Sequence, residues 1–458
     1  MKPSRLACVV TVTALLAWLA AAQEMSSGVR LGVLATAVVG SAVCSVRAER
    51  DGIRAGEIVG AGAVLLVAAV LFPPRESNDL WGYVSYARVL SEHGSNPYVT
   101  PPSAFPEDPL LGRMSAEYRD DPSVYGPLFT LYTAGITAAA GERPTALRIS
   151  LQATAAIAAL LVVLEVRRRS GGEPRSVAFV ALNPLLVVTV NGAHPDMAAG
   201  ALVLAGVLTA ESRRPARSGL LLGLAALTKL TAGMAAVGVL AWKLRQRHPK
   251  EAAMAAAALL AVVVAGYGIF GGSKAVEPLQ QVALRGTRSQ AWEILRKDLT
   301  ADAEAKGAAD PRVEAHEKLR TPGLVATVLF LGVGAVGLSR RRRVAEAAAG
   351  SALAGLVASR YVLPWYLANV LPTSALVSSS AVGILVWAEA ARQLLVYADP
   401  PGRSPPEGWL EQLSTHWLPL VGVALAAAVL WHSLRSPRDV RRPEPTSADR
   451  RAVTGIGT

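Results

Sequence analysis

Residues 73–98 read PPRESNDLWGYVSYARVLSEHGSNPY, and they follow directly on an apolar run at residues 56–72. An acidic residue, Asp79, follows shortly after the end of that run, ahead of an amphipathic, aromatic-bearing stretch and a break at residues 96–98. A carboxylate at the exit from a membrane is costly unless it has a function there. The segment therefore predicts a helix at a membrane surface, with Asp79 as a candidate catalytic base that faces a lipid-borne substrate.

The composition is that of a membrane protein. Of the 458 residues, 52% are hydrophobic and only 17% are charged, and the mean hydropathy is +0.35. Soluble domains carry about 25% charged residues, and apolar runs long enough to cross a bilayer recur along the whole chain. The net charge of +12 comes from basic residues in short runs between apolar spans, as the positive-inside rule produces, so nucleic acid is not an expected partner.

Hydropathy and the placement of Lys and Arg predict an all-α fold, a polytopic transmembrane helical bundle of about 12–14 spans. The bundle is expected to occupy residues 1–435, with both termini cytoplasmic and a disordered cytoplasmic tail at 436–458. Two extracytoplasmic loops, at about 73–143 and 271–320, are expected to bear amphipathic juxtamembrane helices. The first span, at 6–23, is interpreted as uncleaved, with a cleaved signal peptide as the alternative.

One apolar stretch, at residues 125–140, decides the topology. If it spanned the membrane, the basic run at 167–169 would lie outside, against the positive-inside rule. We therefore expect it to lie flat on or dip into the outer surface, with the next span at 145–165. Among the spans expected downstream are those at 176–190, 366–380, 381–397 and 416–433.

This topology collects the unusual polar residues of the chain on its outer face. They are Asp79, His194, Asp196, Lys229 and Arg360 at the outer ends of spans, Arg148 where a span begins, and Arg285 in the second outer loop. Structural alternatives exist, because Asp79 and Asp196 could cap helices and His194 could be a polar turn residue. Arg360 could equally anchor the protein at the interface, and Tyr83 could belong to an aromatic belt.

Two outward carboxylates together with several outward cations form the set that glycosyl transfer from a lipid phosphate needs. A carboxylate takes the proton of the acceptor hydroxyl as a general base. Cations bind the donor phosphate and stabilise the negative charge that grows on it as the glycosidic bond breaks. Lys229 is the cation hardest to explain structurally, because it interrupts a run of small apolar residues.

Several motifs resemble a known group of proteins. Three segments resemble the first extracytoplasmic loop of the GT-C superfamily, namely DLWGY at 79–83, GSNPY at 94–98 and VYGPL at 124–128. The likeness is greatest to the polyprenol-phosphomannose-dependent α-mannosyltransferases of actinobacteria. Four further motifs resemble the same family, namely LNPL (182–185), NGAHPD (191–196), TKLT (228–231) and LPWYL (363–367). The resemblance covers roughly residues 75–370.

The resemblance implies an inverting integral-membrane transferase that moves a hexose, with mannose as the first choice, from a polyprenyl-phosphate donor. The acceptor would be a cell-envelope glycan or glycolipid at the extracytoplasmic face of the plasma membrane. Asp79 matches the family's catalytic carboxylate, and we expect Lys229, with Arg360 or Arg148, to bind the donor phosphate. The expected substrate-binding residues are His194, Asp196, Tyr83, Asn96, Tyr125 and Arg285.

One departure from the family pattern is Asn78 ahead of Asp79, where many members carry a second acidic residue. Glu76 and the pair Asp120-Asp121 are nearby alternatives. The sequence has no zinc-ligand spacing and no glycine-rich phosphate loop, so we expect no cofactor and no metal, with a divalent ion left open. The rival function is a transporter or flippase of a lipid-linked or small polar substrate, because charges within a membrane protein also mark transport paths.

Overall fold

A computed structural model of the chain describes residues 2–282, 286–398 and 408–435. The regular secondary structure of these residues is helical throughout, which confirms the predicted all-α class. Proline stands at the first position of many of the helices, where its fixed φ suits the helix and its missing N–H would be unpaired in any case. The chain's own prolines thus divide it into helices.

The N-terminal half of the chain forms helices α1 to α11. Their bounds are Pro3–Ala21, Ser27–Arg47, Ala55–Leu71, Asp79–Ser91, Pro127–Ala140, Pro144–Arg169, Pro174–Ala181, Pro184–Asn191, Asp196–Glu211, Pro215–Thr228 and Met234–Arg245. The C-terminal half forms α12 to α20. Their bounds are Pro249–Ile269, Ser273–Val282, Trp292–Ala305, Pro311–Leu338, Val344–Ala358, Leu371–Ala375, Ala381–Val396, Gly408–Gln412 and Leu418–Leu434.

Seven helical segments in the described part of the chain are long and apolar enough to cross a membrane. They are Pro3–Ala21, Ser27–Arg47, Pro144–Arg169, Pro174–Asn191, Pro249–Ile269, Pro311–Leu338 and Gly408–Leu434. The protein is therefore a multi-pass membrane protein, as predicted. The number is below the predicted 12–14, and one reason is that several helices are shorter than the about 20 residues that a helix needs to cross a bilayer alone; α3, α9, α10, α11, α16 and α18 have 17, 16, 14, 12, 15 and 16 residues.

One stretch differs from the sequence-based topology. Residues 366–380, predicted to be one span, lie instead in the 3-10 turn Pro364–Asn369, in the five-residue α17 and in a turn before α18. Pro372 lacks the N–H that a continuous helix would use here. Residues 311–320 of the predicted second outer loop form the first turns of α15, whose N-cap Asp310 accepts a hydrogen bond from the N–H of Val313 at 3.0 Å.

Both predicted outer loops contain helices. The first holds α4, three 3-10 turns between residues 102 and 118, and α5, which packs on α4. The 14 residues of α5 are too few to span a bilayer, and its flat placement on the surface stays a prediction. The second holds α13 and α14. The predicted tail at 436–458 lies outside the described residues.

A buried amide fixes the point where the first loop leaves the bundle. Asn191, at the end of α8, donates from Nδ2 to the carbonyl oxygens of Ala69, Phe72 and Pro73 at 3.0, 3.1 and 3.1 Å. Its Oδ1 accepts from the backbone N–H of Arg75 at 2.9 Å. These bonds satisfy carbonyls at the C-terminus of α3 that have no partner within the helix, and they set the path of the chain toward α4.

Replacing Asn191 by leucine is expected to lower the free energy of unfolding by about 2–4 kcal/mol, because the Pro73 carbonyl and the Arg75 N–H lose their partner, while Ala69 and Phe72 keep the donor Gln152. The measurement is the thermal midpoint of the purified protein in detergent. Thr189→Val is the matched control, since Thr189 lies on the same helix, is fully buried, and its hydroxyl has no hydrogen-bond partner among the described residues. Equal midpoints for the two variants would show that the Asn191 amide does not anchor the loop.

Candidate active site

A cavity of about 510 Å³ lies where the two outer loops meet the bundle. Its wall is formed by the start of α4, residues 114–125 of the first loop, the turn after α10, the middle of α13 and residues 359–366. Cavities of this size are typical of small-molecule and cofactor sites. Three of the residues singled out by the sequence line it, namely Asp79, Tyr125 and Lys229.

Asp79 is the first residue of α4 and lies in the cavity wall, with 24% of its side chain exposed. The N-cap of the helix is Asn78, whose amide donates to the carbonyl of Arg113 at 2.8 Å. Within the described ranges, no residue donates a hydrogen bond to the Asp79 carboxylate. Helix capping therefore does not account for Asp79, and its oxygens are available to a molecule in the cavity.

The surroundings of Asp79 tune this carboxylate toward proton transfer. Burial raises the pKa of Asp79 to about 6, against the lowering effect of the Lys229 charge and with a further rise caused by Asp196. A general base is most effective when its pKa lies near the operating pH. At neutral pH the group is mostly ionised and yet basic enough to accept a proton.

We expect kcat/KM for the acceptor to fall as the pH drops through about 6, because Asp79 must be ionised to act as a base. Below that value kcat/KM should decrease by about tenfold per pH unit. The measurement is kcat/KM of the full-length protein from about pH 5 to about pH 8, with donor binding followed at each pH. A rate that stays constant down to the acid end, with donor binding intact, would exclude Asp79 as the base.

His194 and Tyr83 lie behind the cavity wall. The Tyr83 hydroxyl and His194 Nδ1 are hydrogen-bonded at 2.7 Å, and His194 Nδ1 is 3.8 Å from Asp79 Oδ2. The His194 ring stacks on Trp365 at 3.8 Å, while Tyr83 packs edge-on against Tyr125 at 4.7 Å. Burial, together with the Lys229 charge, holds the pKa of His194 well below its usual value. This buried pair therefore packs next to Asp79 on the side away from the cavity. A direct contact of either residue with substrate stays a prediction.

Lys229 lies between α10 and a 3-10 turn, Leu230–Gly233, in extended backbone. Its Nζ is 3.4 Å from Asp196 Oδ2 and 4.0 Å from the centre of the Tyr366 ring. The loop that holds Tyr125 packs directly on the end of α10, because a Cβ on Gly126 would lie only 2.0 Å from the carbonyl oxygen of Leu227. This close approach places Lys229 and the first loop on the same cavity.

Three other predicted residues lie away from the cavity and contact protein groups. Arg148 donates to the carbonyl oxygens of Val70 and Phe72 at 2.9 and 3.1 Å. Arg360 is buried and donates hydrogen bonds to Nδ1 of His316 at 3.0 Å and to its carbonyl oxygen at 3.1 Å. The amide of Asn96 donates to the carbonyl of Phe270 at 2.7 Å. Their roles toward substrate stay predictions, and Arg285 lies outside the described residues.

The cavity wall is rich in aromatic side chains, most of which sequence reasoning did not select as substrate-binding residues. The chain has ten tyrosines, and six of them line the cavity together with Trp365; they are Tyr86, Tyr118, Tyr125, Tyr361, Tyr366 and Tyr397. An amphipathic ring offers an apolar face and a polar tip, which suits a molecule with both apolar and hydroxyl surfaces. Of the six, the sequence indicated only Tyr125 as a substrate-binding residue, and only the fold brings them together.

Two further carboxylates line the cavity, Glu76 and Asp121, whereas Asp120 is exposed outside it. Both were considered as partners of Asp79 in the sequence. Among the residues that the structure describes, no group of three or more His, Cys, Asp or Glu side chains comes together as metal ligands would.

Comparison with known proteins places this site in a family. Residues 3–245, which include Asp79, His194, Asp196 and Lys229, match the family described as "Alpha-(1->6)-mannopyranosyltransferase, N-terminal domain". The chain is 25% identical over 425 residues to alpha-(1->6)-mannopyranosyltransferase A of Mycobacterium tuberculosis, covering 89% of this chain and 80% of that protein. It is 24% identical over 176 residues to the Corynebacterium glutamicum protein of the same name, covering 37% of this chain and 36% of that protein.

No solved structure matches the chain. The family match covers more than half of the chain and confirms the resemblance seen in the motifs. The chain therefore belongs to the alpha-(1->6)-mannopyranosyltransferase family of membrane mannosyltransferases.

Proposed function

We propose that this protein transfers mannose from a polyprenyl-phosphate donor to a hydroxyl group of a cell-envelope glycan or glycolipid, with inversion, at the extracytoplasmic face of the plasma membrane. The observation that carries the proposal is that the Asp79 carboxylate and the Lys229 ammonium group line one cavity. A base and a cation within one cavity meet the two electrostatic needs of a single displacement at an anomeric carbon.

The chemistry follows from these two groups. Asp79 takes the proton of the acceptor hydroxyl as its oxygen forms a bond to the anomeric carbon of the donor sugar. The bond between that carbon and the phosphate oxygen breaks, and the phosphate leaves with the electron pair. Lys229 stabilises the negative charge that grows on the leaving oxygen, in a site partly shielded from water. One carboxylate acting on an acceptor hydroxyl gives inversion, because no covalent intermediate forms.

The rest of the cavity fits the two substrates. Leu230, Leu279 and Leu363 supply an apolar wall, and Leu230 is the neighbour of Lys229, so an isoprenoid chain can leave the phosphate along these residues. The six tyrosines form the aromatic part of the wall, on which sugar rings can pack their apolar faces while hydroxyl groups meet polar tips. Mannose as the donor sugar is supported by membership of the family.

The basic residues support an extracytoplasmic site. α6 begins beside the first loop and ends in Arg167, Arg168 and Arg169. α11 begins after the turn that holds Lys229 and ends with Lys243 and Arg245 in its last turn. Since Lys and Arg accumulate on the cytoplasmic side, the cavity lies toward the opposite end of both helices and faces outward.

The test uses the purified full-length protein in nanodiscs with a crude lipoglycan acceptor. Labelled mannose is supplied either on polyprenyl phosphate or on a nucleotide, in parallel samples. The proposal predicts transfer from the lipid donor alone. Transfer from the nucleotide donor alone would overturn the assignment of the donor, and binding of the lipid donor without transfer would favour the rival transporter function.

A further inference from the structure

Asn369 links the start of α9, which carries Asp196, to the 3-10 turn that follows Lys229. It is the last residue of the turn Pro364–Asn369 and is 2% exposed. Its Nδ2 donates to Asp196 Oδ1 at 3.1 Å and to Thr231 Oγ1 at 3.2 Å. Both hydrogens of the amide are thus donated, one to Asp196, the ion-pair partner of Lys229, and one to Thr231, two residues after Lys229.

The position of Lys229 in the chain does not by itself set where its ammonium group lies, so contacts from other elements must do so. With φ of −149° and ψ of 118° Lys229 lies between two helical elements, outside both. The turn that ends in Asn369 also supplies the Tyr366 ring, 4.0 Å from Lys229 Nζ. One short turn therefore provides both the ring under the ammonium group and the amide that holds its partner.

Asp196 is fully buried and does not line the cavity, so in this structure it contacts protein groups and no cavity space. Asn369 occupies Oδ1 and leaves Oδ2 turned to Lys229 at 3.4 Å. The two groups form an ion pair that uses at most one of the three N–H donors of the ammonium group. The other donors of Lys229 stay available for an anion in the cavity.

The turn is held rigidly against the helix that carries Asp196. A Cβ on Gly200 of α9 would lie 2.4 Å from the carbonyl oxygen of Ala368, so the two backbones are in direct contact. A hydrogen bond supported by such packing fixes orientation better than one on a mobile loop.

We propose that Asn369 and Asp196 are positioning residues that hold the Lys229 ammonium group where the donor phosphate binds. The inference rests on the proposed function, since it assumes that Lys229 binds that phosphate. It assigns Asp196 to the orientation of Lys229, where the sequence predicted contact with substrate, and it adds Asn369, which no motif indicated.

The experiment measures binding of a polyprenyl phosphate without sugar, and of the uncharged polyprenol, to the full-length protein in nanodiscs. Asn369→Leu should weaken binding of the phosphate by about tenfold, because Asp196 and Thr231 lose their common donor. Binding of the polyprenol should not change. Thr373→Val is the matched control, since Thr373 is buried four residues further along and its hydroxyl has no partner among the described residues.

A double-mutant cycle separates positioning from general destabilisation. If Asn369 acts through Lys229, Asn369→Leu combined with Lys229→Met should bind the phosphate as weakly as Lys229→Met alone. The inference would be overturned if Asn369→Leu lowered the affinity for the phosphate by the same factor with and without Lys229→Met. It would also be overturned if Asn369→Leu alone bound the phosphate with wild-type affinity. Either result leaves the proposed function intact. Wild-type affinity of Lys229→Met would overturn the phosphate role of Lys229 itself. Should Asn369→Leu fail to fold, Asn369→Ala carries the same cycle.

Discussion

Asp79→Asn is expected to lower kcat by about 10²- to 10⁴-fold, the usual contribution of a general base. The amide has nearly the shape of the carboxylate, so the cavity keeps its form, but it cannot accept the acceptor's proton. Binding of the donor should stay close to that of the wild type, because the proposed mechanism assigns the donor phosphate to Lys229. The measurement is the steady-state rate of mannose transfer at saturating donor, with donor affinity determined on the same preparation.

Asp120→Asn serves as the matched control for Asp79→Asn. Asp120 lies in the same outer loop and is exposed outside the cavity, so its loss should leave kcat unchanged. Asp121 lines the cavity and is the other aspartate that could act as the base. An active Asp79→Asn variant together with an inactive Asp121→Asn variant would transfer the catalytic role to Asp121.

Lys229→Met is expected to lower kcat/KM for the donor by about 10²- to 10³-fold, because the cavity loses the cation that binds the phosphate and stabilises the growing charge. Both KM and kcat should change, since the phosphate is negative in the ground state and becomes more so in the transition state. The measurement is the initial rate across a series of donor concentrations.

Lys229→Met also leaves the buried Asp196 carboxylate without its ionic partner, so a loss of stability must be separated from a loss of function. Lys243→Met is the matched control. Lys243 is 2% exposed and paired with Glu251 at 2.6 Å, at the other end of α11. It should lower the thermal midpoint with no change in KM for the donor. A similar rise in KM in both variants would mean that neither lysine binds the phosphate.

The predicted site residues that line the cavity, Asp79, Tyr125 and Lys229, are charged or aromatic groups within distinctive local motifs. Asp79 and Lys229 both interrupt apolar surroundings, and a charge there is costly unless it has a purpose. Tyr125 belongs to a loop motif close to a glycine that its packing requires. Such signals lie within a few residues of one another and need no knowledge of the fold.

Sequence reasoning could not separate cations that face a ligand from cations that face the protein. Arg148 and Arg360 also stand at predicted span ends, yet the structure satisfies them with carbonyl groups and with His316. Whether an arginine has a protein partner depends on residues as distant as Val70 or His316, which hydropathy does not reveal. Tyr361 and Tyr397 reach the cavity from remote segments and are missed for the same reason.

Span prediction from hydropathy succeeded for long helices and failed where proline shortens them. The predicted span at 366–380 forms short turns instead, and Pro372 interrupts it. The turn Pro364–Asn369 places Trp365 and Tyr366 in the cavity wall and the buried Asn369 behind it. The error therefore lies where the structure departs from a simple bundle to form its site.

The central claim is that Asp79 activates an acceptor for attack on a lipid-linked mannose, and single-turnover transfer tests it most directly. Wild-type protein and Asp79→Asn are each loaded with labelled polyprenyl-phosphate mannose, bound donor is quantified, and acceptor is then added. The account predicts equal donor occupancy, rapid movement of label to the acceptor in the wild type, and none on the same timescale in the variant. Transfer at comparable rates by both proteins would contradict it.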